Sequence, residues 1–558
     1  MESAVRAAPR VVVLALGLTA LPGAVPAEVS WRLSDPALQA LAVRLVPHLE
    51  ANRRELRGRT GLVVGFGAGA TYPQIWLRDS ATLLALSRYV HPRPYLDSWL
   101  VEHLAQQRDD GALWDWVAAG DPAVFREYAP AVVAVYREGP VVLSADRNTT
   151  EADQESSAVH AAYQVFRITG DRAWLTAPIA GRPLVDRLDA ALSFLLRGRF
   201  SSRFGLVTSA FTADWGDVSP VYGDQRAIYL DERTPLVAGL YTNALVWRSA
   251  RELAVLLASA GRPARARFWE ERARDVRASV ERYLWQEERG FYRVHVLESV
   301  PAGWAAPDSS DVFAMGGNAV AVLSGLASDG QAARVFATAE ERRRRFGVST
   351  VAGTLLPPYP AGFFRHPILS EPYTYQNGGQ WDWFAGRLIL AEFERGRAAD
   401  ARRQLGEIAE RVTRSGGLRE WYTREGAGRG SAAYAGSAGA LGEALIAGLF
   451  GVDLHEDRLD LTVRLGEEAG ELRLREPATG TEVACASSYD AASRTLRLSY
   501  SSRARRPGSL RVLLPAGMRP ASAVLDGRPQ PVSLETVGED VYAVLRTGPG
   551  AHDLKLSP

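Results

Sequence analysis

Residues Tyr434–Gly448 (YAGSAGALGEALIAG) are small or apolar on nearly every side, whereas the preceding segment Ala398–Val412 (AADARRQLGEIAERV) repeats Arg and Glu. Both carry helical periodicity. The first must be buried on several faces, and the second must keep one face in water. The alternation extends backwards through the chain: Arg262–Trp285 is charged, with Glu270, Glu271, Arg272 and Arg274, and Val312–Gly325 is apolar. Start and stop signals predict twelve helices, near 35–56, 80–90, 94–107, 154–168, 181–197, 236–259, 262–285, 313–327, 330–342, 380–394, 398–412 and 434–450. Odd-numbered helices are amphipathic and even-numbered ones apolar. Twelve alternately outer and inner helices predict a mainly α fold, an (α/α)6 barrel.

After residue 452 the period changes to short alternating strands, near 459–465, 471–474, 495–500, 509–514, 541–545 and 552–556, separated by turn signals such as Asp526-Gly527. This predicts a C-terminal antiparallel β-sandwich over 453–558, following a barrel over 28–452. Residues 1–27 read as a signal peptide: Arg6 and Arg10, the apolar run Val11–Leu21, then the small-residue site Val25-Pro26-Ala27. The run is too short to span a bilayer, which needs about 20 apolar residues. An exported protein, periplasmic or extracellular, with no stable membrane insertion after cleavage, is expected. Cys485 is the only cysteine, so no intrachain disulfide can form.

Basic and acidic residues number 65 and 64, and Lys555 is the only lysine. No net field attracts nucleic acid. Eight histidines lack HxH or HExxH spacing, so no metal or cofactor is expected. P-loop, dinucleotide and nucleophile-elbow patterns are missing as well.

Six loops rich in Asp, Glu, Trp and Gly precede the even-numbered helices: Trp76-Leu77-Arg78-Asp79, Glu151–Glu155, Asp214-Trp215-Gly216-Asp217, Asp308–Asp311, Asn377-Gly378-Gly379-Gln380-Trp381 and Arg419-Glu420-Trp421-Tyr422. In a barrel of parallel inner helices they gather at one rim. Three long connections, 109–150, 199–233 and 343–377, lead to the same rim, and long loops of this kind are usually functional. Carboxylates and aromatics at one rim suit a sugar substrate.

Hydrolysing a glycosidic bond with inversion needs one carboxyl to protonate the leaving oxygen and another to activate water. Asp217, beside the Trp215 indole and Gly216, is the candidate acid, since partial desolvation raises a carboxyl pKa. Asp214 is its rival, and either can instead order the loop through an Asx turn. Glu420, flanked by Trp421 and Tyr422, is the candidate base; Glu425 is the weaker choice. Trp76, Arg78 and Asp79 are candidates for holding sugar, although Asp79 also suits a helix cap; Asp153 has the same two readings. Trp114 and Trp116 are candidates for outer subsites.

Ile75-Trp76-Leu77-Arg78-Asp79-Ser80, Asp217-Val218-Ser219-Pro220 after Trp-Gly, Tyr375-Gln376-Asn377-Gly378-Gly379-Gln380-Trp381 and Glu420-Trp421-Tyr422 resemble the six-hairpin glycosidases, which include glycogen-debranching amylo-α-1,6-glucosidases, processing α-glucosidases, trehalases and neutral invertases. The resemblance spans roughly 35–450 and implies an inverting hydrolase on an (α/α)6 barrel. It implies Asp217 as acid and Glu420 as base, with Trp76, Arg78, Asp79 and the loop of Asn377, Gln380 and Trp381 at the sugar. Two departures stand out: Trp215-Gly216-Asp217 replaces Gly-Trp-Asp, and Asp382 follows Trp381 where relatives often have Pro. The expectation is an inverting glycoside hydrolase acting on an α-linked oligosaccharide or glycoside, with Asp153, Asp214, Trp215 and Trp421 also in its site. A polysaccharide lyase or uronic-acid-acting enzyme on the same barrel, and a non-catalytic glycan-binding protein, are the alternatives.

Overall fold

Twelve main helices follow one another as α1 (Pro36–Glu50), α2 (Leu77–Ser87), α3 (Pro94–Ala105), α4 (Gln154–Thr169), α5 (Leu184–Gly198), α6 (Leu240–Ser259), α7 (Pro263–Tyr283), α8 (Met315–Leu323), α9 (Asp329–Arg345), α10 (Asp382–Glu394), α11 (Ala398–Arg414) and α12 (Ala435–Glu443). They come from a computed structural model that describes residues 29–558 except 127–129, 504–505, 507 and 547. The expected signal peptide, 1–27, lies outside the described residues. Each even-numbered helix packs against the next, and α12 closes on α2, so six inner helices form a ring. The odd-numbered helices lie outside it. Short helices at Pro122–Phe125 and Arg172–Thr176 interrupt two connections, and α12 runs on as a π-helix over Ala444–Leu449.

The composition of α12 is explained by how closely it approaches its neighbours. A Cβ on Gly439 would stand 3.0 Å from the Thr82 carbonyl oxygen of α2, and one on Gly386 of α10 would stand 2.8 Å from the Ala440 backbone. Small residues let these backbones meet, which brings the ring to closure. The outer helices need only one apolar stripe and are fixed by ordinary caps: Asp35 accepts from the amides of Ala37 and Leu38 at α1, and Ser328 with Gln331 forms a capping box at α9.

All six inner helices begin at the same rim. Short strands lead directly into four of them: Ile75–Trp76 into α2, Leu236–Gly239 into α6, Phe313–Ala314 into α8 and Gly428–Ala432 towards α12. The long connections, expected to lack regular structure, contain partners for these strands. Trp116–Ala119, Val141–Asp146 and Val133–Glu138 extend the sheet begun by Ile75–Trp76, and Leu355–Leu356 pairs with Phe313–Ala314. Pairing supplies backbone partners that a long loop would otherwise lack.

Beyond the barrel lie a seven-stranded sheet and a five-stranded sheet. Buried residues of both, among them Leu472, Cys485, Leu498, Leu510 and Val512, join the core cluster that also contains the barrel residues. The sheets differ from expectation in two respects. Val29–Leu33, at the start of the described chain, pairs antiparallel with Gly470–Glu476, with Trp31 opposite Leu472. Leu459–Val463 runs parallel to Ser509–Leu513, so the pairing is not wholly antiparallel. The sheets also complete the helices they touch. The Asp540 carboxylate accepts the Ala398 amide at the start of α11 (3.0 Å), and Arg464 donates to the Gly448 carbonyl after α12 (2.7 Å).

Gly386→Ala forces a methyl group into the Ala440 backbone and should destabilise the protein by about 1–3 kcal/mol. Gly406→Ala on outer α11, where a Cβ meets no atom within 4 Å, should stabilise it by roughly 0.5–1 kcal/mol. Thermal denaturation of the two variants checks the pair, and similar shifts in both would contradict the close-approach account.

Candidate active site

Arg78, in the first turn of α2, reaches carboxylates from two other rim segments. Its Nη1 donates to Glu151 Oε1 at 2.9 Å, Asp153 Oδ2 at 3.3 Å and the Trp215 carbonyl at 3.3 Å, and its Nη2 donates to Asp217 Oδ1 at 3.1 Å. Glu151 and Asp153 are buried, but the Asp217 side chain keeps 26% of its exposure, so it is the member that opens to the pocket. The Asp217 amide donates to Gln376 Oε1 at 3.3 Å, which ties the acidic loop to the loop before α10. One guanidinium facing several carboxylates leaves excess negative charge. Burial, with Asp115, Asp153 and Asp217 nearby, pushes Glu151 well above the usual range, and burial does the same to Asp115.

Glu420 approaches from the hairpin before α12. Tyr72 donates to its Oε1 at 2.9 Å and the Ser431 amide to its Oε2 at 2.8 Å. Burial raises its pKa, these two hydrogen bonds oppose the rise, and the charges of Asp217 and Asp79 add to it. Asp217 and Glu420, 203 positions apart in the chain (420 − 217), are thus within electrostatic reach of each other. Asp79 is buried, accepts from the Tyr434 hydroxyl at 3.2 Å and is raised by burial to about 6. The Arg78 charge and the Tyr434 hydrogen bond partly offset that rise.

Asp214, the rival acid, sits in left-handed backbone at φ 59° and turns its carboxyl towards the start of α8. Its Oδ2 accepts from Gly317 N–H at 2.9 Å, and burial raises the group to about 7. A Cβ on Gly316 would stand 2.6 Å from that carboxylate, so the glycines of α8 are what admit it. Asp214 therefore engages a helix N-terminus, and the Asp217 side chain stays partly exposed.

An aromatic floor links the loops. Trp381 packs edge-on against Trp215 (4.7 Å between centroids), Tyr375 (5.1 Å) and Tyr434 (5.9 Å), and Tyr375 meets Trp421 at 6.4 Å. Trp76, half-buried, stands against Tyr72 at 6.2 Å. Trp76 Nε1 and Gln376 Nε2 have no hydrogen-bond partner among the described residues. Unused donors beside aromatic faces suit a polyhydroxylated ring.

Several expected sugar-holding residues point elsewhere. Asn377 is fully buried and holds its own loop, its Oδ1 accepting the Tyr359 amide (2.9 Å) and its Nδ2 donating to the Tyr359 and Leu369 carbonyls (3.2 Å each). Gln380 is fully buried and accepts from the Thr350 amide and from Arg411. Asp382, where relatives often have Pro, pairs with buried Arg411. Trp381 is the buried centre of the floor, with Nε1 on the Tyr375 carbonyl (3.0 Å). Trp116 is buried against Trp76, and Trp114 donates to the Gln106 carbonyl. The loop 308–311 is drawn off the rim, because Asp311 pairs with Arg289 and Arg342 and Asp308 accepts the Ser310 amide.

Tyr72, Gln376, Tyr434 and Glu151 are not among the individual candidates the sequence names, although Glu151 opens the second rim loop and Gln376 lies in the Tyr375–Trp381 motif. Tyr72 precedes Trp76 by four residues, and its position beside the Trp-Leu-Arg-Asp motif is the one signal that pointed to it. Among the described residues, one group of potential metal ligands comes together, Asp453, His455 and Asp460, after the π-helix and away from this pocket. Arg167 and Arg458 already occupy its two carboxylates.

The ring of inner helices inside the outer ones makes this an (α/α)6 barrel. Residues 72–437 match the mannosylglycerate hydrolase MGH1-like glycoside hydrolase domain, and the chain belongs to that family. That family is one of glycoside hydrolases, which weighs against the lyase and the non-catalytic readings. No curated protein sequence matches the chain. Among solved structures, it is similar to the GH63 mannosylglycerate hydrolase of Thermus thermophilus, with 19% identity and a TM-score of 0.51 over 72% of this chain and 99% of that one. It is also similar to the GH78 rhamnosidase of Bacillus sp. GL1, with 17% identity and a TM-score of 0.58 over 88% of this chain and 43% of that one. The α-L-rhamnosidase of Streptomyces avermitilis gives 15% identity and a TM-score of 0.57 over 95% and 42%. The chain thus spans less than half the length of these two rhamnosidases, and all three likenesses are of fold. No helix of the described residues is long and apolar enough to cross a membrane.

Proposed function

We propose that this protein hydrolyses an α-linked gluco- or manno-configured glycoside with inversion at the anomeric carbon, Asp217 acting as general acid and Glu420 as general base. The observation that carries the reading is the pairing of these two carboxyls from distant loops over an aromatic floor. Asp217 is the one carboxylate of the Arg78 cluster open to the pocket, so it can reach a glycosidic oxygen. Glu420, held at both oxygens by Tyr72 and Ser431, is oriented to take a proton from water. Its raised pKa makes it a stronger base than an exposed glutamate. Trp76 and Trp421 would stack on the sugar, and Arg78 and Asp79 would fix the surrounding polar groups. The relatives' names, mannosylglycerate hydrolase and rhamnosidase, support a small glycoside as substrate. Export beyond the cytoplasm is part of the same proposal and rests on the charged, apolar and small-residue segments before residue 28.

Asp217→Asn and Glu420→Gln should each lower kcat by about 100-fold or more on a panel of α-glucosides and α-mannosides, with circular dichroism unchanged. Asp214→Asn should reduce stability more than kcat. Near-normal turnover in either of the first two variants would overturn the assignment. Tyr72→Phe removes a hydrogen bond that favours ionised Glu420, so the base becomes protonated at higher pH. The acid limb of the kcat/KM profile should then move upward by about one pH unit, and a limb that stays in place would contradict the role given to Glu420.

A further inference from the structure

Behind the Arg78 cluster, along the barrel axis, lies a polar cavity of about 160 Å³ lined in part by Tyr241, Arg248, Arg387 and Glu443. Tyr241, in the first turn of α6, stands between this cavity and the cluster. Its hydroxyl donates to Asp153 Oδ2 at 3.2 Å, the same oxygen that accepts from Arg78 Nη1 at 3.3 Å. Arg387 of α10 faces the same hydroxyl from the cavity side. Burial and the Asp153 charge keep the phenol protonated, so it serves as a donor. Asp153 Oδ1 has no hydrogen-bond partner among the described residues. Among the described residues, the Asp153 side chain takes its hydrogen bonds from Tyr241 and Arg78 only.

We propose that Tyr241 is a positioning residue for the proton donor, acting through Asp153 and Arg78 on Asp217. The chain is continuous: Tyr241 holds Asp153, Asp153 with Glu151 holds one arm of the guanidinium, and the other arm holds Asp217 at 3.1 Å. Without the hydroxyl, Asp153 turns both oxygens to Arg78 and draws the guanidinium off Asp217, which then loses its fixed position at the glycosidic oxygen. This rests on the general-acid role proposed above for Asp217.

The test uses leaving groups that differ in their need for a proton. An alkyl α-glycoside departs as an alkoxide unless it is protonated, whereas fluoride leaves an α-glycosyl fluoride with little assistance. Tyr241→Phe, which keeps the ring and its packing, should lower kcat/KM on the alkyl glycoside by about 10- to 100-fold and on the fluoride by less than about 3-fold. Asp217→Asn, measured alongside, should show the same asymmetry more strongly. Equal losses on both substrates, or no loss on either, would overturn the positioning role of Tyr241. Equal losses in Asp217→Asn would instead overturn the general-acid reading beneath it.

Discussion

The rim depends on one buried guanidinium. Arg78 joins α2 to the Glu151–Asp153 segment before α4 and to the Asp214–Asp217 loop before α6. Taking an arginine out of water costs several kcal/mol unless carboxylates compensate it. Here the partners arrive only when all three inner helices occupy the same ring. The same ion pairs that satisfy the arginine fix where Asp217 stands, so folding and the geometry of the pocket have one cause. The surplus of acid groups, together with burial, raises Glu151 and Asp115 well above the usual carboxylate range.

Ring closure is what brings Glu420 to that centre. The close approaches of Gly439 to α2 and Gly386 to α12 seat the last inner helix beside the first. The hairpin in front of α12 then sets Glu420 against Tyr72, which lies just before α2. The base comes from the end of the barrel sequence and its hydrogen-bond donor from the beginning. Strands beyond the barrel reinforce the closure, through Asp540 at the start of α11 and Arg464 after α12.

The helical plan was legible in the sequence because its signal is long: outer helices such as Ala398–Arg414 and inner ones such as Ala435–Glu443 each carry several turns of consistent pattern. The two-residue rim strands were not, since Ile75–Trp76 or Phe313–Ala314 is shorter than any period. Pairing of Val29–Leu33 with Gly470–Glu476 escaped for a different reason, being a contact between segments more than 400 positions apart with no local trace. In the site, the rim-loop carboxylates Asp153 and Asp217 that the sequence marks gather around Arg78, and Glu420 meets Tyr72. Asn377 and Gln380 brace loops from inside, a placement that the sequence does not distinguish from one that meets a ligand. Whether Asp214 or Asp217 faces outward depends on a left-handed residue and on two glycines a hundred positions away, information that no local pattern contains.

The central claim is that Asp217 and Glu420 act on opposite sides of the anomeric carbon. Proton NMR of the anomeric signal during the first minutes of hydrolysis of an α-glycoside tests it most directly. The account predicts that the sugar is released as the β-anomer, with the α-anomer growing in only by mutarotation. An α-anomer as the first-formed product would contradict it.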